Sequence, residues 1–229
     1  NVGLRYGERQ EILKDVSFAV NKGDFFFLTG VSGAGKSSLL KLIDMSLKPT
    51  RGLINMFGTE VNLIKERQLY AFRRKIGIIF QDYKLINDIS IYENIALPLK
   101  IIKEKAHNIK ARVEELLNWL GLLQYKNELP LTLSGGQQQI VAIARAIITD
   151  PVLILADEPT GNIDEAMANN IMKLLLELNK KGTSVVLATH NLNLVKKSNK
   201  KVMVLQGGKL STLAAKEWHK NAIYNLEQK

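Results

Sequence analysis

Residues 30–37 limit the possible folds of this chain more than any other feature. They read Gly-Val-Ser-Gly-Ala-Gly-Lys-Ser and fit the pattern G-x-x-x-x-G-K-[ST]. An apolar run at residues 25–28 precedes them, and a helical pattern starting at Ser38 follows. Glycines allow such a loop to bring backbone N–H groups and a helix N-terminus close to phosphate oxygens. The motif therefore predicts a strand, a phosphate-binding loop and a helix, in that order.

The residue types in this loop predict how a nucleoside triphosphate and Mg²⁺ are held. Lys36 would neutralise the β and γ phosphates, and the Ser37 hydroxyl would ligate Mg²⁺. The other predicted nucleotide-binding residues of the loop and the following helix are Gly30, Ser32, Gly33, Ala34, Gly35 and Ser38. The alternative is an ordinary glycine-rich turn, which has no need of a Lys-Ser pair at this position.

Short apolar runs alternate with helical periodicity, which indicates an α/β fold with a largely parallel sheet. The predicted buried strands are residues 24–29, 75–80, 152–156, 184–188 and 202–205. Helical spacing is clearest over residues 109–120 and 171–178, each followed by a glycine suited to ending a helix. The residues up to 21 and residues 53–61 are predicted to form short antiparallel strands at one edge.

The chain is predicted to form a single domain over residues 1–229. Residues 82–149 are mainly helical in pattern and are predicted to be a lobe inserted into the sheet. Residues 1–81 and 150–229 would then form the core. The longest apolar runs fall far short of the roughly 20 residues that cross a bilayer. With no cysteine in the sequence, disulfides and thiolate metal sites are excluded.

Two acidic residues follow the apolar run at residues 152–156. Asp157 and Glu158 are thereby placed at the carboxyl edge of the predicted sheet, where open α/β sheets bind their ligands. Asp157 is predicted to hold Mg²⁺ through water, and Glu158 to polarise the water that attacks the γ-phosphate. An Asp-Glu pair by itself is more often a solvated turn, but the phosphate loop upstream favours the catalytic interpretation.

A second glycine-rich helix start lies at residues 133–137, which read Leu-Ser-Gly-Gly-Gln and precede an apolar helical run at 140–148. Here the chain resembles the ABC transporter ATPases, whose signature is LSGGQ, and the resemblance covers essentially all 229 residues. It implies a P-loop NTPase with a mainly parallel sheet, an N-terminal antiparallel β edge and an inserted helical lobe. It also implies a homodimer with ATP at the interface, because the signature of one subunit caps the γ-phosphate held by the other. The signature residues are Ser134, Gly135, Gly136 and Gln137. A capped helix start is the plain alternative.

Other positions carry over from the same resemblance. Tyr6 resembles the aromatic residue that stacks on adenine, although a lone tyrosine in a strand is more often packing. Gln81 resembles the glutamine that contacts Mg²⁺ or the attacking water and hinges the helical lobe. Residues 161–164 match the loop that crosses the dimer interface, and His190 matches the switch histidine that bonds the γ-phosphate. Ile140 departs from the family, which commonly has a basic residue there, and this affects surface contacts more than chemistry.

Softer cues select a group within the family. Residues 27–36, 79–85, 94–99 and 156–162 together resemble the bacterial cell-division ATPases of the FtsE group. The cues are shared in part with the ATPases of lipoprotein release and macrolide export. The resemblance implies a cytoplasmic ATPase, peripheral on the inner face of the cell membrane, bound to an integral membrane protein of the FtsX type. ATP-driven closure would then regulate cell-wall hydrolases.

The formal net charge of +10 indicates that the surface attracts polyanions such as nucleotides, nucleic acid or anionic lipid. Basic clusters at residues 73–75 and 196–201 carry much of it, with a solvated face as the plain alternative. No nucleic acid is expected as a partner, because ABC ATPases acting on nucleic acid or ribosomes usually have paired nucleotide domains or long coiled coils. That class nevertheless stays open at this point. A nucleotide-dependent binding module without turnover is disfavoured by Glu158.

Overall fold

The computed structural model describes residues 1–8, 10–161 and 163–218, so Arg9, Asn162 and residues 219–229 lie outside the described part. The strands are β1 (Val2–Leu4), β2 (Leu13–Val16), β3 (Phe25–Thr29), β4 (Asn55–Met56), β5 (Thr59–Glu60), β6 (Ile76–Ile79), β7 (Leu153–Asp157), β8 (Ser184–Ala188), β9 (Lys201–Gln206) and β10 (Lys209–Leu213). The helices are α1 (Lys36–Ile43), α2 (Glu66–Arg73), α3 (Ile91–Ile101), α4 (Ala106–Trp119), α5 (Gly135–Ile147), α6 (Glu165–Lys180) and α7 (Leu192–Ser198). Short 3₁₀ turns cover Val61–Leu63, Leu123–Tyr125 and Pro130–Thr132.

Six strands form the central sheet in the order β10-β9-β3-β8-β7-β6. The pairs from β9 to β6 are parallel, and only β10 runs antiparallel, against β9. Every residue of β3 and β8 is buried, as expected for strands that helices cover on both faces. The five predicted strands and the predicted fold class are confirmed.

The short antiparallel strands of the N-terminal part, β1, β2, β4 and β5, form two small sheets of their own and do not extend the central sheet. One is β1 with β2, and the other is β4 with β5 around a turn at Phe57 and Gly58. The first small sheet reaches the central sheet through Lys14, whose backbone N–H donates to the carbonyl of Gly208 at 2.7 Å. This contact fixes the N-terminal strands beside the turn between β9 and β10.

Helices α3, α4 and α5 enclose a separate apolar cluster, which includes Ile95, Val113 and Val141. Asn94 is fully buried in this part, where its side chain bonds backbone atoms of Ile86, Ile89 and Ser90. It thereby fastens the segment before α3 onto the helix. None of the helices in the described residues is long and apolar enough to cross a membrane.

Helix α5 passes very close to β6. A Cβ atom added to Gly77 of β6 would lie 2.5 Å from the carbonyl oxygen of Ala146 on α5. Only glycine allows this approach, since real Cβ contacts are not that short. The helical part is therefore packed directly on the edge strand of the sheet.

Candidate functional site

Two glycines give the phosphate loop its path from β3 into α1. Gly30 has φ +150°, and a Cβ atom there would lie 2.3 Å from the carbonyl oxygen of Leu205. Gly35 has φ 104° and ψ 13°, the left-handed conformation, and directly precedes α1. Because side chains are disfavoured in both places, the sequence pattern of the loop has a direct steric cause. Helix α1 begins at Lys36, two residues earlier than the pattern predicted.

Lys36 folds back over the loop that precedes it. Its ammonium donates to the carbonyl oxygens of Gly30 at 2.8 Å and Val31 at 3.2 Å. Ser32, Gly33 and Ser37 are exposed along the same loop, and Ala34 and Gly35 are half-buried. The positive charge therefore lies across a short concave stretch of backbone, beside the N-terminus of α1.

Tyr6 lies beside the first turn of α1. Its hydroxyl donates to the Oγ atom of Ser38 at 3.2 Å, and the residue is 38% exposed. The residue is therefore partly accessible to solvent next to the loop. The structure thus brings Tyr6 and Ser38 together with the predicted nucleotide-binding residues.

The two acidic residues come at the end of β7. Asp157 pairs with Ala188 of β8 as the last residue of its strand, and the backbone N–H of Glu158 donates to the carbonyl of Ala188 at 2.9 Å. Glu158 has φ 48°, an unusual left-handed conformation for a side chain of its size. This backbone conformation occurs directly after the carboxyl end of β7.

Glu158 and His190 form a pair at this edge. The Nδ1 atom of His190 lies 2.9 Å from Oε1 of Glu158. The imidazole is 71% exposed, while the carboxylate is only 11% exposed. Oε2 of Glu158 is buried and accepts no hydrogen bond from the described residues. One carboxylate oxygen is thus engaged by the histidine, and the other has unused capacity to accept a hydrogen bond.

Gln81 completes the edge. It follows β6, the neighbour of β7, and it is exposed. A Cβ atom built on Gly161 would lie 3.8 Å from the Cβ atom of Glu158 and 4.0 Å from Nε2 of Gln81. Gly161 therefore borders both side chains. The carboxyl ends of four adjacent parallel strands, β3, β8, β7 and β6, thus place the phosphate loop, His190, the two acidic residues and Gln81 along one edge of the central sheet.

The predicted signature forms the start of α5. The Oγ atom of Ser134 accepts from the backbone N–H of Gln137 at 3.3 Å, and Oε1 of Gln137 accepts from the N–H of Ser134 at 3.0 Å. This reciprocal arrangement is a capping box, and Ser134 remains exposed. Gly136 permits close packing on α6, because its Cβ atom would lie 3.1 Å from the Met167 side chain. No hydrogen bond among the described residues joins Ser134 or Gln137 to the phosphate loop.

Ile140, the departure from the family pattern, is half-buried. It packs against the apolar cluster of α3, α4 and α5. It also lines a crevice of about 330 Å³ between these helices and α6, together with Trp119 and Leu174. An apolar residue here faces the crevice between the helical part and α6.

Sequence reasoning missed Arg145, a second link between α5 and the site. Its guanidinium donates to the carbonyl oxygens of Tyr83 at 2.8 Å and Lys84 at 2.7 Å, just after Gln81. Tyr83 and Lys84 both have positive φ, at 60° and 49°. Burial lowers the pKa of Arg145, since desolvation disfavours its charge. The signal that could have revealed it is a lone arginine inside the apolar run of α5.

We expect Arg145→Lys to destabilise the protein, because one ammonium cannot replace two guanidinium bonds to an unusual turn. The free energy of unfolding, measured by denaturant titration, should fall by about 1–3 kcal/mol. Arg112→Lys is the matched control, since Arg112 also donates to a carbonyl, that of Ile148, at 2.6 Å, but its other bond goes to the Asp150 carboxylate and not to a second carbonyl. Equal losses in the two variants would argue against a special role for Arg145.

Comparisons with known proteins agree with this geometry. Residues 13–161 match the family model described as ABC transporter. Two solved structures of the cassette MJ0796 superimpose with TM-scores of 0.85 and 0.86 at 35% and 36% identity, covering 94% of this chain and 97% of theirs. Both are described as dimeric, and the first is a post-hydrolysis state bound to ADP and Pi. The chain belongs to the ABC transporter family, and it is an ATP-hydrolysing cassette of that family.

Within the family, the chain is similar to proteins of cell division. The chain is 41% identical to the cell division ATP-binding protein FtsE of Escherichia coli K12, covering 92% of this chain and 95% of that protein. It is 41% identical to FtsE of Bacillus subtilis strain 168 and 40% identical to FtsE of Mycobacterium tuberculosis H37Rv. The shares covered are 89% of both chains for the first and 86% of both for the second.

The donor set of the site fits Mg²⁺ shared with a triphosphate. Among the described residues, no group of three or more His, Cys, Asp or Glu could hold a metal without further ligands. Mg²⁺ in phosphoryl-transfer sites instead takes one or two protein oxygens and completes its shell with water and substrate phosphates. The Ser37 hydroxyl, the Asp157 carboxylate and the Gln81 amide oxygen offer that kind of set near the loop.

Proposed function

We propose that this chain is the ATPase subunit of an FtsE-type cell-division complex and acts as a homodimer that holds two ATP molecules between its copies. The observation that carries the hydrolytic part is the edge formed by β3, β8, β7 and β6, where a phosphate loop meets the Glu158–His190 pair. The similarity to FtsE proteins over about nine-tenths of the chain supports the cellular assignment.

The loop and α1 would bind the substrate. The ammonium of Lys36 would exchange its contacts with the carbonyls of Gly30 and Val31 for contacts with the β and γ phosphates of ATP. The backbone N–H groups of residues 33–38 and the N-terminus of α1 would add further donors. Tyr6, exposed beside Ser38, would stack on the adenine ring.

Glu158 would then act on the attacking water. His190 engages Oε1, so that Oε2 is left to accept a hydrogen bond from that water. The water oxygen forms a bond to the γ phosphorus as the bond to the bridging oxygen breaks, which yields ADP and inorganic phosphate. Ser37, Asp157 and Gln81 would hold Mg²⁺, which neutralises phosphate charge when bound. The exposed face of His190 would contact the γ-phosphate.

A second copy is needed to complete the site. Ser134, Gly135, Gly136 and Gln137 present the N-terminus of α5, a ready anion-binding arrangement. Within one chain this helix start has no hydrogen bond to the phosphate loop among the described residues. ATP bridging two copies would favour the closed dimer, and hydrolysis would remove the bridging phosphate. This cycle would alternate between closed and open dimers.

Motion would pass to a membrane partner through residues 81–88. Leu85 packs on the cluster of α3, α4 and α5, while Ile86 is 42% exposed. Arg145 ties this segment to α5, so residues 82–149 would rotate as a lobe with the signature. We assign an integral membrane protein of the FtsX type as the partner, on the inner face of the cell membrane. Lipoprotein-release and macrolide-type exporters are the alternative partners.

Cross-linking between two differently labelled copies tests the dimer. The sequence has no cysteine, so Val31→Cys and Leu131→Cys can each provide a single thiol, and both positions are 71% exposed. Mixing the two variants with a bismaleimide should give a covalent dimer only when ATP and Mg²⁺ are present and hydrolysis of the ATP is prevented. In the control pair, Leu131→Cys is replaced by Leu63→Cys, which is 73% exposed and lies in the 3₁₀ turn before α2. Equal cross-linking of the control pair, or none in the test pair, would contradict the sandwich.

The cellular part needs a separate experiment. We expect the tagged chain, solubilised from membranes of its host, to copurify with an FtsX-like integral membrane protein. We also expect an allele blocked in hydrolysis to delay septation. Recovery with ribosomes or nucleic acid and normal division would contradict the membrane assignment, while leaving the ATPase chemistry intact.

A further inference from the structure

The two basic clusters of the sequence differ in whether their cations have acidic or polar partners within the fold. In the cluster at residues 196–201, Lys197 pairs with Glu165 at 3.3 Å and Lys201 with Asp24 at 2.9 Å. Lys200 donates to the side-chain oxygen of Asn179 at 3.0 Å. This cluster therefore serves contacts within the fold.

The segment at residues 65–75 is different. It has five cationic residues, Lys65, Arg67, Arg73, Arg74 and Lys75, against one acid, Glu66. Within the part of the chain that the structure describes, no ion pair includes any of these five cations. Arg73 donates a hydrogen bond to the carbonyl of Met45 at 2.7 Å. Much of the excess charge of the chain is thus unpaired on and beside α2.

Aromatic rings are interleaved with these cations. Arg67, Tyr70 and Arg74 are spaced by three and four residues and lie on one side of α2, which we call the α2 face. Tyr70 is 56% exposed, with the guanidinium carbon of Arg74 5.0 Å from its ring centre. Beside the face, the ammonium of Lys75 lies 5.2 Å from the ring centre of Phe57. Leu69 and Phe72 point the other way and pack on the core.

We propose that the α2 face binds the anionic phospholipid headgroups of the membrane surface. Cations next to an amphipathic, exposed tyrosine suit the boundary between headgroups and acyl chains. The inference rests on the proposed function in one respect, the side of the molecule that faces the membrane. Helix α2 contacts β6, the edge strand of the sheet, and the carboxyl end of β6 continues into residues 81–88, which we assign to the membrane partner.

The same features favour lipid over nucleic acid. A nucleic-acid surface usually needs a row of phosphate contacts along a groove or stripe. Here the helix has only eight residues, about 12 Å of length, and the exposed Tyr70 separates the two arginines of the α2 face. The spacing of Arg67 and Arg74 suits two or three lipid headgroups placed around the inserted ring of Tyr70.

Flotation of the full-length chain with vesicles tests this without any membrane partner. Wild type should bind vesicles containing phosphatidylglycerol and ignore vesicles of phosphatidylcholine alone. Arg67→Glu with Arg74→Glu should weaken binding by at least about thirtyfold, since each arginine near an anionic surface contributes about fivefold and the surface also repels the new carboxylates. Tyr70→Ser, which leaves the charge unchanged, should weaken it by a further measurable factor. ATP turnover should be retained in these variants, which verifies their fold.

The matched control makes the same change in net charge elsewhere. Lys180→Glu with Lys209→Glu reverses two exposed lysines away from α2, neither of which forms an ion pair within the described residues, and should alter vesicle binding less than about twofold. Equal losses in both double variants would show general electrostatics and overturn the proposal. So would equal binding to neutral vesicles, no binding to anionic vesicles, or an α2-dependent preference for duplex DNA over vesicles. None of these outcomes depends on the ATPase or copurification results.

Discussion

Replacing Glu158 by glutamine should reduce ATP turnover by about 100-fold or more while ATP binding persists. The variant keeps the size of the side chain and a group that can accept from His190, but it removes the carboxylate. Oε2 of Glu158, buried and without a hydrogen bond from the described residues, loses the negative charge that would polarise the attacking water. Because bound ATP is then not consumed, we also expect the closed dimer to accumulate.

Two measurements check this expectation. Steady-state phosphate release gives turnover, and light scattering after size exclusion with ATP and Mg²⁺ gives the mass. Glu114→Gln is the control, because Glu114 also has a side-chain nitrogen beside it, that of Lys126 at 2.9 Å, but on α4. The Lys126 ammonium lowers the pKa of Glu114, so this variant removes a carboxylate charge outside the site. Near-normal turnover in Glu158→Gln would rule out Glu158 as the group that acts on water.

The sequence was sufficient for the parts of the site that are local in the chain. The glycines of residues 30–35 follow from the steric needs of the loop, and the all-apolar β3 and β8 follow from burial on both faces. The sequence also places Asp157 at a strand end. It does not give the order of the strands, and that order decides that His190, after β8, falls beside Glu158, after β7.

Side chains that bond the backbone of another segment could not be predicted in the same way. Arg145 and Asn94 bond main-chain atoms outside their own helices or at their start, so the sequence can mark such a residue, as the lone arginine of α5 is marked, but not its partner. The sequence pattern did not predict helix α2, because only Leu69 and Phe72 contact the core. Two apolar residues are too few to show a helical period. Strand β10 was missed because its residues are mostly polar, although Gly207 and Gly208, both with positive φ, mark the hairpin before it.

Replacing Lys36 by alanine should weaken ATP binding by about 100-fold. The lysine ammonium already lies against the carbonyls of Gly30 and Val31, so the loop has a built-in position for one positive charge. Without that charge, the phosphates of ATP would meet carbonyl oxygens and lose a charge-assisted hydrogen bond. Lys41→Ala is the control, because Lys41 lies on the same helix but in its last turn, exposed to solvent.

Ligand-induced stabilisation gives a direct reading of this loss. At an ATP concentration of 100 times the wild-type Kd, wild type and Lys41→Ala should each gain about 2.7 kcal/mol in the free energy of unfolding. A 100-fold weaker Lys36→Ala would gain only about 0.4 kcal/mol under the same conditions. Stability without nucleotide should change little, since the lysine bonds only two carbonyls of its own exposed loop. If Lys36→Ala were stabilised by ATP as strongly as wild type, the loop of residues 30–37 would not be the place where the triphosphate binds.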